Sequence, residues 1–300
     1  MERPIVLSKQ FRHVVFPGAA GTRKKVLNLS GPSPIALPVD DPSLSQENAS
    51  FLQWLFKQAG LDARLYRVET LQRRLPACLR ALQARSPAHA RRLLERDLSL
   101  VPKALDIMLV GVTAFFRDPP VFDALREVVL PAVAAGRSGL YAWSAGCSDG
   151  AELYSLAILL AEAGLLPLSY LLGTDCRPNA IRRAQGGWFD ASAVKGVPAA
   201  LLRRYFLPRD DGWQVAPALT QAVRWRVANS LTALEPGLWD LILFRNTSMY
   251  FRAETTAPLW ERFETALRPG GVLVLGQAER PLGCKRLSLL APCIYQRTRG

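Results

Sequence analysis

Residues 141–160 read YAWSAGCSDGAELYSLAILL. Tyr141, Trp143 and a run of small residues suit a strand, whereas Leu153, Leu156, Ala157 and Leu160 recur at helical spacing. Between them Ser144 to Gly150 form a turn with little side chain, and an acid, Glu152, stands at the helix start. A backbone this bare serves one of two ends. It lets strand and helix connect tightly, or it lets a ligand approach the peptide groups and the helix N-terminus.

Working outward, strands are predicted at 139–144, 169–174, 239–244 and 271–276, and helices at 119–135, 150–164, 177–186 and 254–268. Strand–helix alternation with short connections predicts a parallel α/β sheet over 119–300. Residues 190–228 interrupt it with a polar helix, VPAALLRRYF, then DDGWQVAP and AVRWRVAN, two pieces that read as a short antiparallel hairpin or ribbon. Upstream, 49–118 read as a basic all-helical N-terminal domain and linker, with Asn48-Ala49-Ser50 as the helix-capping stretch. Leu71, Leu75, Cys78, Leu79 and Leu82 form its apolar stripe, and Arg73, Arg74, Arg80 and Arg85 lie largely off it, as a solvated face or a docking surface. Residues 1–48 mix short apolar pieces with Gly, Pro and Ser and read as a partly disordered extension with room for one short hairpin.

A hydrophobic content of 49% over 300 residues supports a globular chain with a substantial core. Because no apolar run reaches the roughly 18 residues of a membrane span and no signal peptide is legible, the expectation is a cytoplasmic protein without membrane insertion. Five scattered cysteines without a CxxC, and only two histidines, His13 and His89, argue against a disulfide framework, a metal centre or a Ser–His pair. The net charge of +13 fits attraction to nucleic acid or membrane, an arginine-rich composition, or an acidic protein partner.

The turn lacks the GxGxxG fingerprint of dinucleotide enzymes, having only Gly146 and Gly150. S-adenosylmethionine enzymes use a looser turn, since the methionine end of that ligand carries no phosphate, and Glu152 suits its ammonium by charge. Asp175 ends the second strand, LLGTD, where an adenosine ribose needs an acceptor for its hydroxyls. It can equally cap the helix that follows. Arg245-Asn246 and Tyr250-Phe251 follow the apolar strand 241–244, on the side where α/β sheets bind ligands.

TAFFRD, WSAGCSDGAELYS, GTD, FRNTSMYF and LRPGGVLVLGQAE occur in this order over residues 52–298. In them the chain resembles the CheR-type chemotaxis receptor methyltransferase family. The resemblance implies a Rossmann-like S-adenosylmethionine methyltransferase sheet with a small antiparallel β insertion, preceded by a small all-α domain. It implies S-adenosylmethionine as cofactor and methyl transfer to glutamates of a chemoreceptor's cytoplasmic coiled coil; no nucleic-acid partner and a monomer are expected. For the cofactor it implies Thr113 and Arg117 of the linker, Ala145, Gly146 and Glu152 of the turn, Asp175 at the ribose, Asn229 and Ser230 near the adenine, and Arg245 and Asn246. Arg117 and Tyr250 are implied beside the methyl-transfer site. The chain departs from the family pattern at Gly111, where an Asn is expected, at Ala151, which replaces an acid, at Phe244, which replaces a Cys, and at Gln277-Ala278 within the late GHSE. The alternatives are a methyltransferase of this fold with another acceptor and a cofactor-binding module without turnover.

Overall fold

The computed structural model describes residues 44–109, 111, 113–232 and 235–299. The extension expected over 1–48 lies outside the described residues up to residue 43. The first helix, α1 (Gln46–Lys57), begins earlier than expected, because Ser45 rather than the Asn48–Ser50 stretch caps it, its Oγ accepting from Asn48 N at 3.3 Å. The added turn carries Glu47, which accepts from Ala88 N at 3.0 Å. Helices α2 (Val68–Ala81), α3 (Pro87–Arg96) and α4 (Val101–Met108) follow. Their apolar stripes meet over buried Leu71, Leu75, Cys78, Ala90, Leu94, Ala104 and Met108. Leu79 of the expected stripe is only partly buried.

Beyond the linker, α5 (Pro119–Ala124), a wider π turn over Leu125–Val129 and α6 (Leu130–Ala134) run on as one helical stretch. Then come β1 (Tyr141–Ala145), α7 (Ala151–Glu162), β2 (Tyr170–Asp175), α8 (Pro178–Gly186), β3 (Trp188–Asp190) and α9 (Ala199–Tyr205). The chain continues through β4 (Phe206–Arg209), β5 (Gly212–Val215), α10 (Pro217–Thr220), β6 (Val223–Val227) and β7 (Trp239–Phe244). It closes with α11 (Ala253–Ala266), β8 (Leu267–Leu275), β9 (Leu287–Ala291) and β10 (Ile294–Arg297). The seven-stranded sheet has the order β6-β2-β1-β7-β8-β10-β9. Its first five strands pair in parallel, and β10 runs antiparallel between β8 and β9. β1 leads outward to β2 and β6 on one side, β7 to β8 on the other, so strand order reverses between β1 and β7. That is the switch point where such sheets open a ligand crevice.

One expectation is corrected here. AVRWRVAN does not pair with DDGWQVAP in a ribbon: β6 joins the main sheet, parallel to β2. The small antiparallel sheet has the order β3-β5-β4 and spans 188–215 rather than 190–228. Alternation in VRWRV marks a strand covered on one face, which an edge strand satisfies as well as a ribbon does. Here Val223 and Trp225 face the helices, while Arg224 turns outward over the Tyr170 ring at 4.7 Å.

Both sheet faces are covered, which is why WDLILF is wholly buried and apolar but for Asp240, whose carboxylate accepts from Arg137, Arg268 and Tyr141 N. One core gathers α7, α5, the small sheet and Phe115, whose ring meets Phe189 at 4.8 Å and Phe206 at 4.9 Å. The other joins α1–α4 to α11 and to Trp143, Trp239 and Phe244. The N-terminal helices thus share a core with the sheet. No helix among the described residues is long and apolar enough to cross a membrane.

Candidate active site

A cleft of about 1090 Å³, counting its open mouth, lies between the N-terminal helices and the carboxyl ends of β1, β2 and β7. Thr113, Arg117, Gly146, Glu152, Asp175, Asn229, Ser230, Arg245, Asn246 and Tyr250 all line it. Ala145 does not; it is 1% exposed and packs in the core beneath, because alternation along β1 turns its side chain away from the cleft.

The opening turn is shaped by packing as well as by access. Gly150 adopts φ +91°, and a Cβ there would stand 2.6 Å from the Trp225 ring. Cys147 N donates to Thr174 O at 2.9 Å and Ser148 N to Asp175 Oδ2 at 3.0 Å, which fastens the turn to the end of β2. Glu152, in the first turn of α7, accepts from Ser144 Oγ at 2.8 Å and from Arg245 Nη1 at 3.3 Å. Burial pushes the Glu152 carboxyl above its ordinary range, and the Arg245 charge opposes that shift. Arg245 also donates to Asp118 Oδ2 at 2.8 Å and Arg117 O at 2.7 Å and lies over the Phe122 ring. Its buried Nε has no hydrogen-bond partner.

Asp175 is held differently. Oδ1 accepts from Arg177 N at 2.9 Å and Arg177 Nε at 3.0 Å, and Oδ2 accepts from Ser148 N and from Arg177 Nη2 at 3.3 Å. The helix cap weighed for Asp175 is not formed: Arg177 is the N-cap of α8 and no side chain caps that helix, so Asp175 instead closes a turn onto Arg177 N and makes a buried ion pair with its guanidinium. Arg177 Nη2 also donates to Ser148 Oγ at 3.1 Å, and Ser148 Oγ donates to Gly111 O at 3.1 Å. Gly111 fits this cluster because a Cβ would lie 2.3 Å from both Arg177 Nη2 and Ser148 Oγ. A larger side chain there requires the Arg177 guanidinium and the Ser148 hydroxyl to shift.

Phe116, Asp118, Ser148 and Asn246 hold positive φ of 52°, 59°, 52° and 57°, strained for residues with a Cβ and worth roughly 1–3 kcal/mol each. All four lie in the linker or the loops around the cleft, and specific bonds hold three of them. Phe116 N donates to Ser155 Oγ at 2.9 Å. Ser148 N is tied to Asp175, as above. Glu279, 2% exposed, accepts from the backbone N of Asn246, Thr247, Ser248 and Gly276 and from Ser248 Oγ, and so braces the loop after β7. The other side of that loop is held by the N-terminal helices. Arg67 N donates to Tyr250 O at 2.9 Å, Arg67 Nε to Phe251 O at 2.9 Å, and Arg252 N to Leu65 O at 3.0 Å.

Sequence reasoning did not place Tyr66, Thr70, Arg74, Ser148, Cys176 or Arg177 in the cleft, yet all line it. Helical periodicity marks Tyr66, Thr70 and Arg74 only as positions on or off a stripe. Gly111 was the one signal for Arg177, since a missing side chain implies that another fills its space. Burial pushes the Cys147 and Cys176 thiols well up, so neither is a thiolate at neutral pH.

A family model described as CheR methyltransferase, SAM binding domain matches residues 111–287. The chain is 30% identical over 242 residues to a chemotaxis protein methyltransferase of Listeria innocua, covering 80% of this chain and 92% of that one. It is 30% identical over 260 residues to a probable biofilm formation methyltransferase, WspC, of Pseudomonas putida, covering 83% and 61%. Among solved structures, a TehB-like SAM-dependent methyltransferase from Corynebacterium glutamicum aligns over 71% of this chain and 97% of that one, with 15% identity and a TM-score of 0.35.

Proposed function

The chain belongs to the CheR methyltransferase family, whose domain binds S-adenosylmethionine, and on that premise we propose that it methylates glutamate side chains in a chemoreceptor's cytoplasmic coiled coil. The observation that carries the reading is the meeting of Glu152, Asp175, Arg117 and Tyr250 around one cleft at the switch point of the sheet.

The cleft suits the cofactor chemically. Glu152 keeps acceptor capacity beyond its bonds to Ser144 and Arg245 and suits an ammonium group. Asp175, beside Asn229 and Ser230, suits the ribose and adenine end. When bound, S-adenosylmethionine supplies an electrophilic methyl group on a sulfonium centre. The chain's remaining task is to place a nucleophile. A glutamate carboxylate, with a reference pKa of about 4.3, is already ionised at neutral pH and needs no general base. Arg117 attracts it into the cleft, and the Tyr250 hydroxyl orients it, both acting through alignment rather than proton transfer. The protonated cysteines of the cleft stay out of the chemistry.

The test is incubation with tritiated S-adenosylmethionine and receptor cytoplasmic fragments from the same organism. Label that enters the receptor and leaves as methanol in alkali supports glutamate methyl esters. Alkali-stable label, or label confined to a different protein, contradicts the reading.

A further inference from the structure

A carboxylate offers about four lone-pair sites, and those of Asp175 are all in use. Two receive backbone donors, Ser148 N and Arg177 N, and two receive the Arg177 guanidinium, through Nε and Nη2. Two ribose hydroxyls can bond to Asp175 only if donors withdraw. The backbone donors are fixed by the turn and by the start of α8; the guanidinium sits at the end of a flexible side chain.

An acceptor for it is at hand. Asp106, on α4 of the N-terminal helices, has a buried oxygen, Oδ1, with no hydrogen-bond partner, 3.9 Å from Arg177 Nη1. Its other oxygen accepts from Asn179 Nδ2 at 2.9 Å and Arg183 Nη1 at 3.3 Å. Closing the remaining gap takes a shift of about 1 Å to reach ordinary hydrogen-bond distance. An unmet buried oxygen beside a cation that is already committed elsewhere is costly, and it gives the cation a second position to occupy. Arg177 itself is 5% exposed, so bulk water offers it no competing partner.

We propose that Arg177 gates the ribose subsite: the cofactor's hydroxyls replace its guanidinium on Asp175, and the guanidinium moves onto Asp106 Oδ1. The gate rests on the assignment of Asp175 to the ribose made above. It joins cofactor binding to the seam between α4 and α8, because Asp106 belongs to the N-terminal helices and Arg177 leads into α8. Arg177 acts here as a positioning residue, through the acid that meets the ligand.

The test is a double-mutant cycle read by calorimetric titration of S-adenosylhomocysteine into the intact protein. Asp106→Asn should weaken binding about tenfold, because the displaced cation loses its charged acceptor. In an Arg177→Met background the same substitution should change little, and Arg177→Met alone should bind at least as tightly as wild type. An equal loss from Asp106→Asn in both backgrounds overturns the gate, since Asp106 would then act through Asn179 and Arg183. Weaker binding by Arg177→Met also overturns it, by making Arg177 a direct contact. A second comparison needs no change at Arg177: S-adenosylhomocysteine against its 2′,3′-dideoxy analogue, on wild type and on Asp106→Asn. The gate predicts that Asp106→Asn weakens only the ligand with hydroxyls. Equal weakening of both ligands overturns the gate alone, whereas equal affinity of wild type for both overturns the ribose assignment and the gate with it.

Discussion

Glu152, in the first turn of the helix after β1, and Asp175, the last residue of β2, are each an acid beside an arginine, yet they are held on different terms. Glu152 receives one hydroxyl and one guanidinium contact, and Arg245 divides its charge among Glu152, Asp118 and the Arg117 carbonyl. Asp175 receives donors at every site, most of them from Arg177. The same functional group is thus kept open at one end of the cleft and closed at the other. An acid with spare capacity meets a cation without rearrangement; a saturated acid makes binding wait on the movement of its partner.

The largest expected effect that would break this comparison concerns Arg245. Arg245→Ala leaves Glu152 and Asp118 without their buried cation and should cost about 3–5 kcal/mol of stability. Urea unfolding measures it, and a loss under about 1 kcal/mol would mean that these acids find other partners. Next is Asp175→Asn, which removes the charged acceptor while keeping the size of the side chain. It should weaken S-adenosylhomocysteine binding by about 1–3 kcal/mol in calorimetry. Unchanged affinity in the folded variant would leave Asp175 as the structural partner of Arg177 and no more.

The openness of Glu152 has a pH signature. Its pKa is raised by burial above the ordinary glutamate range, with Arg245 opposing. The ionised form attracts the ammonium, so a raised pKa means that this form is lost sooner as pH falls. Cofactor affinity should therefore decline on acidification before an ordinary glutamate would protonate. Glu152→Gln should bind more weakly at neutral pH and lack that decline; an acid limb that persists in the variant assigns it to another group. Smaller again is Tyr250→Phe, which should slow methyl transfer roughly fivefold, the worth of about one hydrogen bond, with cofactor affinity unchanged. The reverse pattern, normal turnover with weak cofactor binding, would move Tyr250 to the cofactor.

The smallest effect is on encounter. Arg73, Arg80 and Arg85 are exposed, whereas Arg74 lines the cleft, so the first three make the cleaner test of docking. Replacing them with Ala should raise the apparent KM for a receptor fragment and flatten its salt dependence, since such charges act over a Debye length of about 8–10 Å. Wild-type salt dependence would reduce that face to solvation.

The four parallel strands β1, β2, β7 and β8 were legible because they are apolar runs punctuated by Gly, Pro and Asp and because each strand–helix unit is local, whereas the short, half-exposed antiparallel strands β9 and β10 were not predicted. The pairing of β6 was not, since VRWRV alternates in the same way at a sheet edge and in a ribbon. The acids of the cleft were legible by position, Asp175 at a strand end and Glu152 at the start of the helix after the small-residue turn. Arg177 was not, because its role depends on Gly111, Ser148 and Asp106, brought to it from other elements by folding. Tyr66, Thr70 and Arg74 reach the cleft because the N-terminal helices share a core with the sheet, and no local pattern encodes that.

A crystal structure of the protein with S-adenosylhomocysteine tests the contrast between the two acids most directly. The expected result has the ribose hydroxyls on Asp175, the ammonium on Glu152, and the Arg177 guanidinium shifted from Asp175 to Asp106 Oδ1. A ligand bound with the Arg177–Asp175 pair intact, or with its ribose away from Asp175, would contradict it.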